Sequence, residues 1–171
     1  MNKEIKLGKI PLITKTDYKG IITFTNSEFQ KISGYSAEEC LGKNHNILRH
    51  PDMPKIIFKK LWNTIKDNKE FYFILKSKTK NGNFYWAASK ITITLDHSNF
   101  PSEFTATRYP IAKSVKKELS ELYLKLLNIE KDGMDSEVYL NTYLEGKGLS
   151  FEEYMYKLSS IKDSFFSKFK S

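Results

Sequence analysis

Residues 71–95, FYFILKSKTKNGNFYWAASKITITL, set two runs of aromatic and β-branched side chains on either side of Asn81-Gly82. Asn and Gly accept the positive φ of a tight reversal, so the stretch reads as a β-hairpin turning over "NGN". A third strand-like run, "EFTATRYPIA" at 103–112, follows a loop near Asn99 to Ser102. Upstream, "PLITKTDYKGIITFTN" reads as two more strands, carrying Leu12 and Thr14, then Ile21, Ile22 and Phe24, around a turn at Asp17–Gly20.

Between the two groups of strands the periodicity changes. Asn26 can cap a short helix, "SEFQKIS", that stops at Gly34. Ser36 and Glu39 form a capping box for "AEECL", closed by Gly42. After Pro54, the spacing of Ile57, Phe58, Leu61, Trp62 and Ile65 predicts one apolar helix face running to about Asn68. Two strands, short helices, one longer helix and three strands make an α+β domain with an antiparallel sheet.

Composition shifts after Pro110. Val115, Leu119, Leu122, Leu126 and Ile129 recur at steps of four and three along a helix over about 112–130. A second helix is expected over 136–144. A third, starting at the capping box Ser150/Glu153, is expected over 150–169 with a stripe of Phe151, Tyr154, Leu158, Ile161, Phe165 and Phe169. These stripes either pack on each other and on the sheet or dock on a partner helix or a dimer mate. The division expected is a sheet domain over 10–111 and a helical extension over 112–171.

Charge follows the same division. Residues 1–111 hold 18 basic and 10 acidic side chains and residues 112–171 hold 10 of each, so the net charge of +8 belongs to the first part. The lysines are scattered rather than grouped with Arg, Gly and stacking aromatics, which argues against nucleic acid. Cys40, the single cysteine, has no internal disulfide partner, and no secretory apolar segment opens the chain, which together suggest a reducing, cytoplasmic setting. No uncharged apolar run reaches the ~18 residues of a membrane span. P-loop, GxGxxG, CxxC and HExxH motifs are absent, so nucleotide hydrolysis, dinucleotide-dependent catalysis and zinc chemistry lack their usual apparatus, and no enzyme is expected.

Polar chemistry concentrates in His45–Met53, "HNILRHPDM", which holds two of the three histidines. Arg49 offers a permanent fork of donors, His50 can donate or accept, and Asp52 can orient either. The same residues also read as a loop salt bridge with His50 packed beneath it.

The combination of "GYS", "HNILRHPDMP", Trp62 and "KNGNFYW" resembles the flavin-binding PAS domain of the aerotaxis-receptor (Aer) type, including stand-alone CetB-like PAS proteins. The similarity runs over about residues 10–130. It implies a PAS fold, a five-stranded antiparallel sheet with short helices on one face, holding FAD without covalent attachment as a redox and energy-taxis sensor. By the same resemblance Asn26, Arg49, His50 and Asp52 are the FAD-binding positions. His45 and Asn46 sit inside the motif and either meet the ligand or cap the local backbone. Trp62 and Trp86 either wall in the flavin or serve as core residues. Asn81 matches a family asparagine that its turn role already explains, and Phe71 stands where the family has Trp. Light-sensing relatives carry an adduct-forming cysteine where His45 stands, so photochemical adduct formation is not expected here. A ligand-free dimerisation module, or a haem-binding PAS sensor using an axial histidine, are the rival readings. With no kinase, methyl-accepting coiled coil or membrane span in the chain, the output is expected to pass to a membrane-bound chemoreceptor-like (methyl-accepting or HAMP-containing) partner, with a homodimer as a further option.

Overall fold

The computed structural model describes residues 2–67 and 70–162. At its centre, β3 (Phe71–Lys78) pairs with β4 (Phe84–Leu95) from Phe71 opposite Ile91 to Lys78 opposite Phe84. The turn is a three-residue loop, Lys80–Gly82. The Gly82 N–H donates to the Thr79 carbonyl at 3.1 Å, the Thr79 N–H donates to the Asn83 carbonyl at 2.8 Å, and Gly82 takes φ 87°. A type I turn followed by a left-handed glycine has this geometry.

With β1 (Leu12–Asp17), β2 (Ile22–Thr25) and β5 (Pro101–Tyr109), the hairpin completes a five-stranded sheet in the order β2-β1-β5-β4-β3, antiparallel throughout. β5 starts earlier than its sequence suggests, because Pro101, which has no N–H to donate, is tolerated as the first residue of a strand and pairs with Leu95 across an irregularity. Alternation sends Thr14, Phe73, Leu75, Ile91, Phe104 and Arg108 to one face. Over that face lie α1 (Ser27–Ser33), α2 (Ala37–Cys40), a 3-10 turn at His45–Leu48, and α3 (Lys55–Lys66).

The extension forms α4 (Lys113–Lys131), α5 (Ser136–Lys147) and α6 (Phe151–Ser160). Val115, Leu119, Leu122 and Leu126 of the first stripe and Phe151, Tyr154 and Leu158 of the last are buried in an apolar core shared with the sheet, whereas Ile161 is exposed. α6 lies along β3, with Phe151 stacked on Phe71 at 5.7 Å and Tyr156 edge-on to Tyr72 at 5.3 Å. The outer edge of β3 is covered as well. The Tyr123 hydroxyl donates to the Ile74 carbonyl at 2.7 Å, the Lys76 N–H donates to Met53 Sδ at 3.3 Å, and Arg49 bridges to Ser77. α6 is shorter than its apolar stripe suggested: Ile161 turns to extended backbone, ψ 128°. Phe165, Phe169 and Asn68 lie outside the described residues. Residues 3–5 run beside the start of β4, where the Ile5 N–H donates to the Phe84 carbonyl at 2.7 Å, an attachment that periodicity did not reveal.

One contact ties α4 to α3. Pro54 gives α3 no side-chain cap, and the N–H groups of Lys55 and Ile56 donate instead to the two Glu130 carboxylate oxygens at 2.9 and 3.0 Å, with Ser136 Oγ donating to the same carboxylate at 2.9 Å. A carboxylate is favoured at a helix N-terminus by both the orphan donors and the helix dipole. Glu130→Ala is expected to lower stability by about 1–2 kcal/mol, read as a lower urea midpoint with an unchanged slope.

Candidate functional site

Between the inner sheet face and α3 lies a cavity of about 350 Å³, within the ~300–1,000 Å³ of small-molecule sites. α3 supplies Phe58, Leu61, Trp62 and Ile65, and their spacing puts all four on one side of the helix. Phe73, Leu75, Ile91 and Phe104 form the facing wall, each from the inward set of its strand. Trp62 is 42% exposed and borders the rim. Gly20 lies beside the indole, and its φ of 81°, which L side chains rarely adopt, is what calls for glycine there.

One end of this apolar slot is polar. Arg108 is 2% exposed. It donates to Thr14 Oγ1 from both terminal nitrogens, at 3.0 and 3.1 Å, and to His45 Nε2 at 2.7 Å. A guanidinium has no lone pair to offer, so His45 Nε2 is the acceptor and the ring proton belongs on Nδ1. Part of the His45 residue remains accessible at the surface, yet the burial of its ring, together with Arg108, pushes the imidazole pKa down to about 3. Burial also lowers the Arg108 pKa, opposed by Tyr85. Flat apolar walls ending in a cation and a neutral imidazole suit a planar heteroaromatic molecule with acceptors along one edge.

A family model described as PAS fold matches residues 22–108. The chain belongs to the PAS-fold family. This PAS chain is 43% identical to the aerotaxis receptor of Escherichia coli (strain K12) over 75 residues, 44% of this chain and 15% of that protein. It is 25% identical to the bacterioopsin transcriptional activator of Halobacterium salinarum over 115 residues, 65% of this chain and 17% of that one. It is 26% identical to the nitrogen fixation regulatory protein of Klebsiella pneumoniae over 106 residues, 62% and 21% of the two chains. The chain therefore spans about a fifth or less of these curated relatives. Among solved structures, the dark form of the Aureochrome1 LOV photoreceptor superposes with a TM-score of 0.56 at 19% identity, over 70% of this chain and 86% of that one. An RNA-binding light-oxygen-voltage receptor gives 0.57 at 15%, over 67% and 33%. These two likenesses are of fold.

Within the PAS domain, His45, Asn46, Arg49 and Trp62 line the cavity. Arg49 lies over the Phe58 ring at 4.2 Å and donates to the Met53 carbonyl at 3.4 Å. Four other candidates stand elsewhere. Asn26 is occupied by the backbone: its Oδ1 accepts from the N–H groups of Ile13 and Phe29, both at 3.0 Å, and its Nδ2 donates to the Pro11 carbonyl at 2.9 Å. His50 sits edge-on to Phe84 at 5.7 Å and accepts the Asp52 N–H at 3.1 Å through Nδ1, while the Asp52 carboxylate, 58% exposed, pairs with Lys76 at 2.5 Å. His50 and Asp52 thus brace the 49–53 turn at the edge of the sheet, outside the cavity. Trp86 corrects the expectation of a flavin wall: it lies on the opposite sheet face, stacked on Tyr123 at 6.0 Å. Phe71, where the resemblance has Trp, faces Phe151 rather than the cavity.

The sequence reading missed Arg108 and Thr14. A signal existed, since Arg108 continues the inward alternation of Phe104 and Ala106. Cys40 is wholly buried in a cluster with Phe29, Leu48 and Tyr85 and does not itself line the cavity, and burial pushes its thiol pKa up. The His45 geometry has a pH consequence. Between its ordinary value of 6.5 and about 3 the unfolded imidazole takes a proton that the folded one refuses. His45 therefore makes stability fall as pH drops through that window and has no effect above it, at most about 1.4 kcal/mol per pH unit. His45→Gln is expected to flatten the decline in urea midpoint between pH 6.5 and 4, with the carboxylate contribution common to both proteins.

Proposed function

We propose that this PAS domain binds FAD non-covalently in the cavity and serves as a cytoplasmic redox sensor for energy taxis, handing its state to a membrane-bound chemoreceptor-like partner. The observation that carries this reading is the cationic end of an otherwise apolar slot, a donor set suited to the acceptor-rich edge of a flavin ring. The 43% identity to the aerotaxis receptor over 75 residues supports it. His45 is the only histidine among the cavity-lining residues, and its Nε2 lone pair is taken by Arg108, which favours flavin over haem.

Bound FAD would supply a ring that accepts and returns electrons with a change of charge. Phe58, Trp62, Phe73 and Phe104 would hold it between apolar walls and keep water from its faces, while Arg49 and the exposed Asn46 offer donors to the dinucleotide arm. Only contacts that differ in free energy between the two charge states shift the protein's equilibrium, and Arg108 would make such contacts. It lies on β5, the strand that leads directly into α4, and α4 reaches back to the cavity wall through the Glu130 cap on α3. This connection supports an output surface in the C-terminal helices. Among the described residues no helix is long and apolar enough to cross a membrane.

A visible spectrum of the freshly purified protein, followed by heat release and chromatography of the chromophore, tests this reading. A flavin spectrum with released FAD is expected. Arg49→Ala should weaken FAD at least tenfold, about 1.4 kcal/mol, and His50→Ala should weaken it less. A protein that stays colourless after incubation with FAD would leave a ligand-free interaction module.

A further inference from the structure

Arg108 is the least expected group in the cavity, and its surroundings indicate what it receives; the inference rests on the flavin reading above. Thr14 and His45 take three of its hydrogen bonds, and an arginine has five N–H donors, so two remain. Both partners are neutral, and among the described residues no carboxylate is paired with the guanidinium or contributes to its electrostatics. A buried cation without a counter-charge costs several kcal/mol, which makes the position receptive to negative charge. On a flavin, uptake of two electrons from a donor such as dithionite and one proton from solvent leaves a negative charge shared by N1 and the C2 carbonyl oxygen. Charge near that edge is a principal means by which a protein tunes the cofactor.

We propose that Arg108 receives the N1–C2 carbonyl edge of the flavin and favours the anionic, two-electron-reduced ring over the oxidised one. His45 is a positioning residue: its neutral Nε2 fixes the guanidinium from the 3-10 turn, as Thr14 does from β1. The other ionisable groups around this end are Tyr85, facing Arg108 from β4, and Arg49 and Lys76 along the lining, with the Lys76 ammonium paired to Asp52. Burial raises the Tyr85 pKa and lowers that of His45, so neither changes charge between pH 6 and 8.

The test is a dithionite titration of the full chain loaded with FAD, against a reference dye, from pH 6 to 8, with affinities for FAD and for riboflavin measured alongside. The wild-type midpoint is expected to fall by about 30 mV per pH unit, the value for one proton per two electrons. In Arg108→Met the midpoint should drop by at least about 30 mV, a tenfold loss of preference for the reduced ring, and both affinities should fall by the same factor. A wild-type slope twice as steep, or an unchanged midpoint in the variant, overturns the proposal while leaving FAD binding intact. A loss confined to FAD also overturns it, assigning Arg108 to the diphosphate. Should Arg108→Met fail to fold, the wild-type slope decides alone. A wild-type protein that binds no flavin removes both readings together.

Discussion

The guanidinium of Arg108 donates from inside a β-sheet to a threonine and a histidine, with no carboxylate opposite it among the described residues. Much of the fold around the cavity answers to that arrangement. A buried cation needs oriented dipoles, so Thr14 must face inward from β1 and His45 must stay neutral and reach in from the 3-10 turn. The turn is in turn held by Asn44, whose side chain accepts the Asn46 N–H at 2.9 Å. Asn26 fixes the start of β1 against α1, keeping Thr14 in register. The polar end of the cavity therefore depends on three elements that meet only in the folded chain.

The helical extension solves a different problem. An edge strand such as β3 exposes unpaired backbone groups that invite unwanted pairing. Tyr123, Met53 and Arg49 occupy that edge, α6 lies along it, and Trp86 is sandwiched against Tyr123 on the face away from the cavity. The extension shares one apolar core with β3, β4 and β5, while Leu12, Ile22, Tyr85 and Ala87 pack with Phe29, Cys40 and Leu48 in a second cluster, so the extension is a structural part of the fold.

The elements were largely legible because their signals are local. Asn26, the Ser36/Glu39 and Ser150/Glu153 boxes, Gly34 and the α3 stripe each state their own boundary, and the structure has each of them. The facing of side chains was harder. Residues 85–89 are buried on both sides of the sheet, so their run carries no alternation from which to tell that Tyr85 and Ala87 face inward and Trp86 outward. A one-residue change of phase exchanges the faces. His50 and Asp52 fall in an irregular turn, where spacing says nothing about direction. Arg108 was overlooked because an arginine in a strand ordinarily reads as solvent-facing. The end of α6 was misjudged for want of a Gly or Pro stop after Ser160, while apolar spacing continued beyond it.

The Glu130 carboxylate makes α4 and α3 share one set of hydrogen bonds, so neither helix can shift without leaving backbone donors unmet. Such a bond transmits in both directions. Binding free energies are reciprocal, so a molecule that grips α4 from outside and favours one of its positions changes the occupancy of the cavity by the same factor that the cavity's occupant changes the grip. A docking partner would thus act on the sensor as an effector, and the affinity measured for a cavity ligand would depend on whether that partner was present.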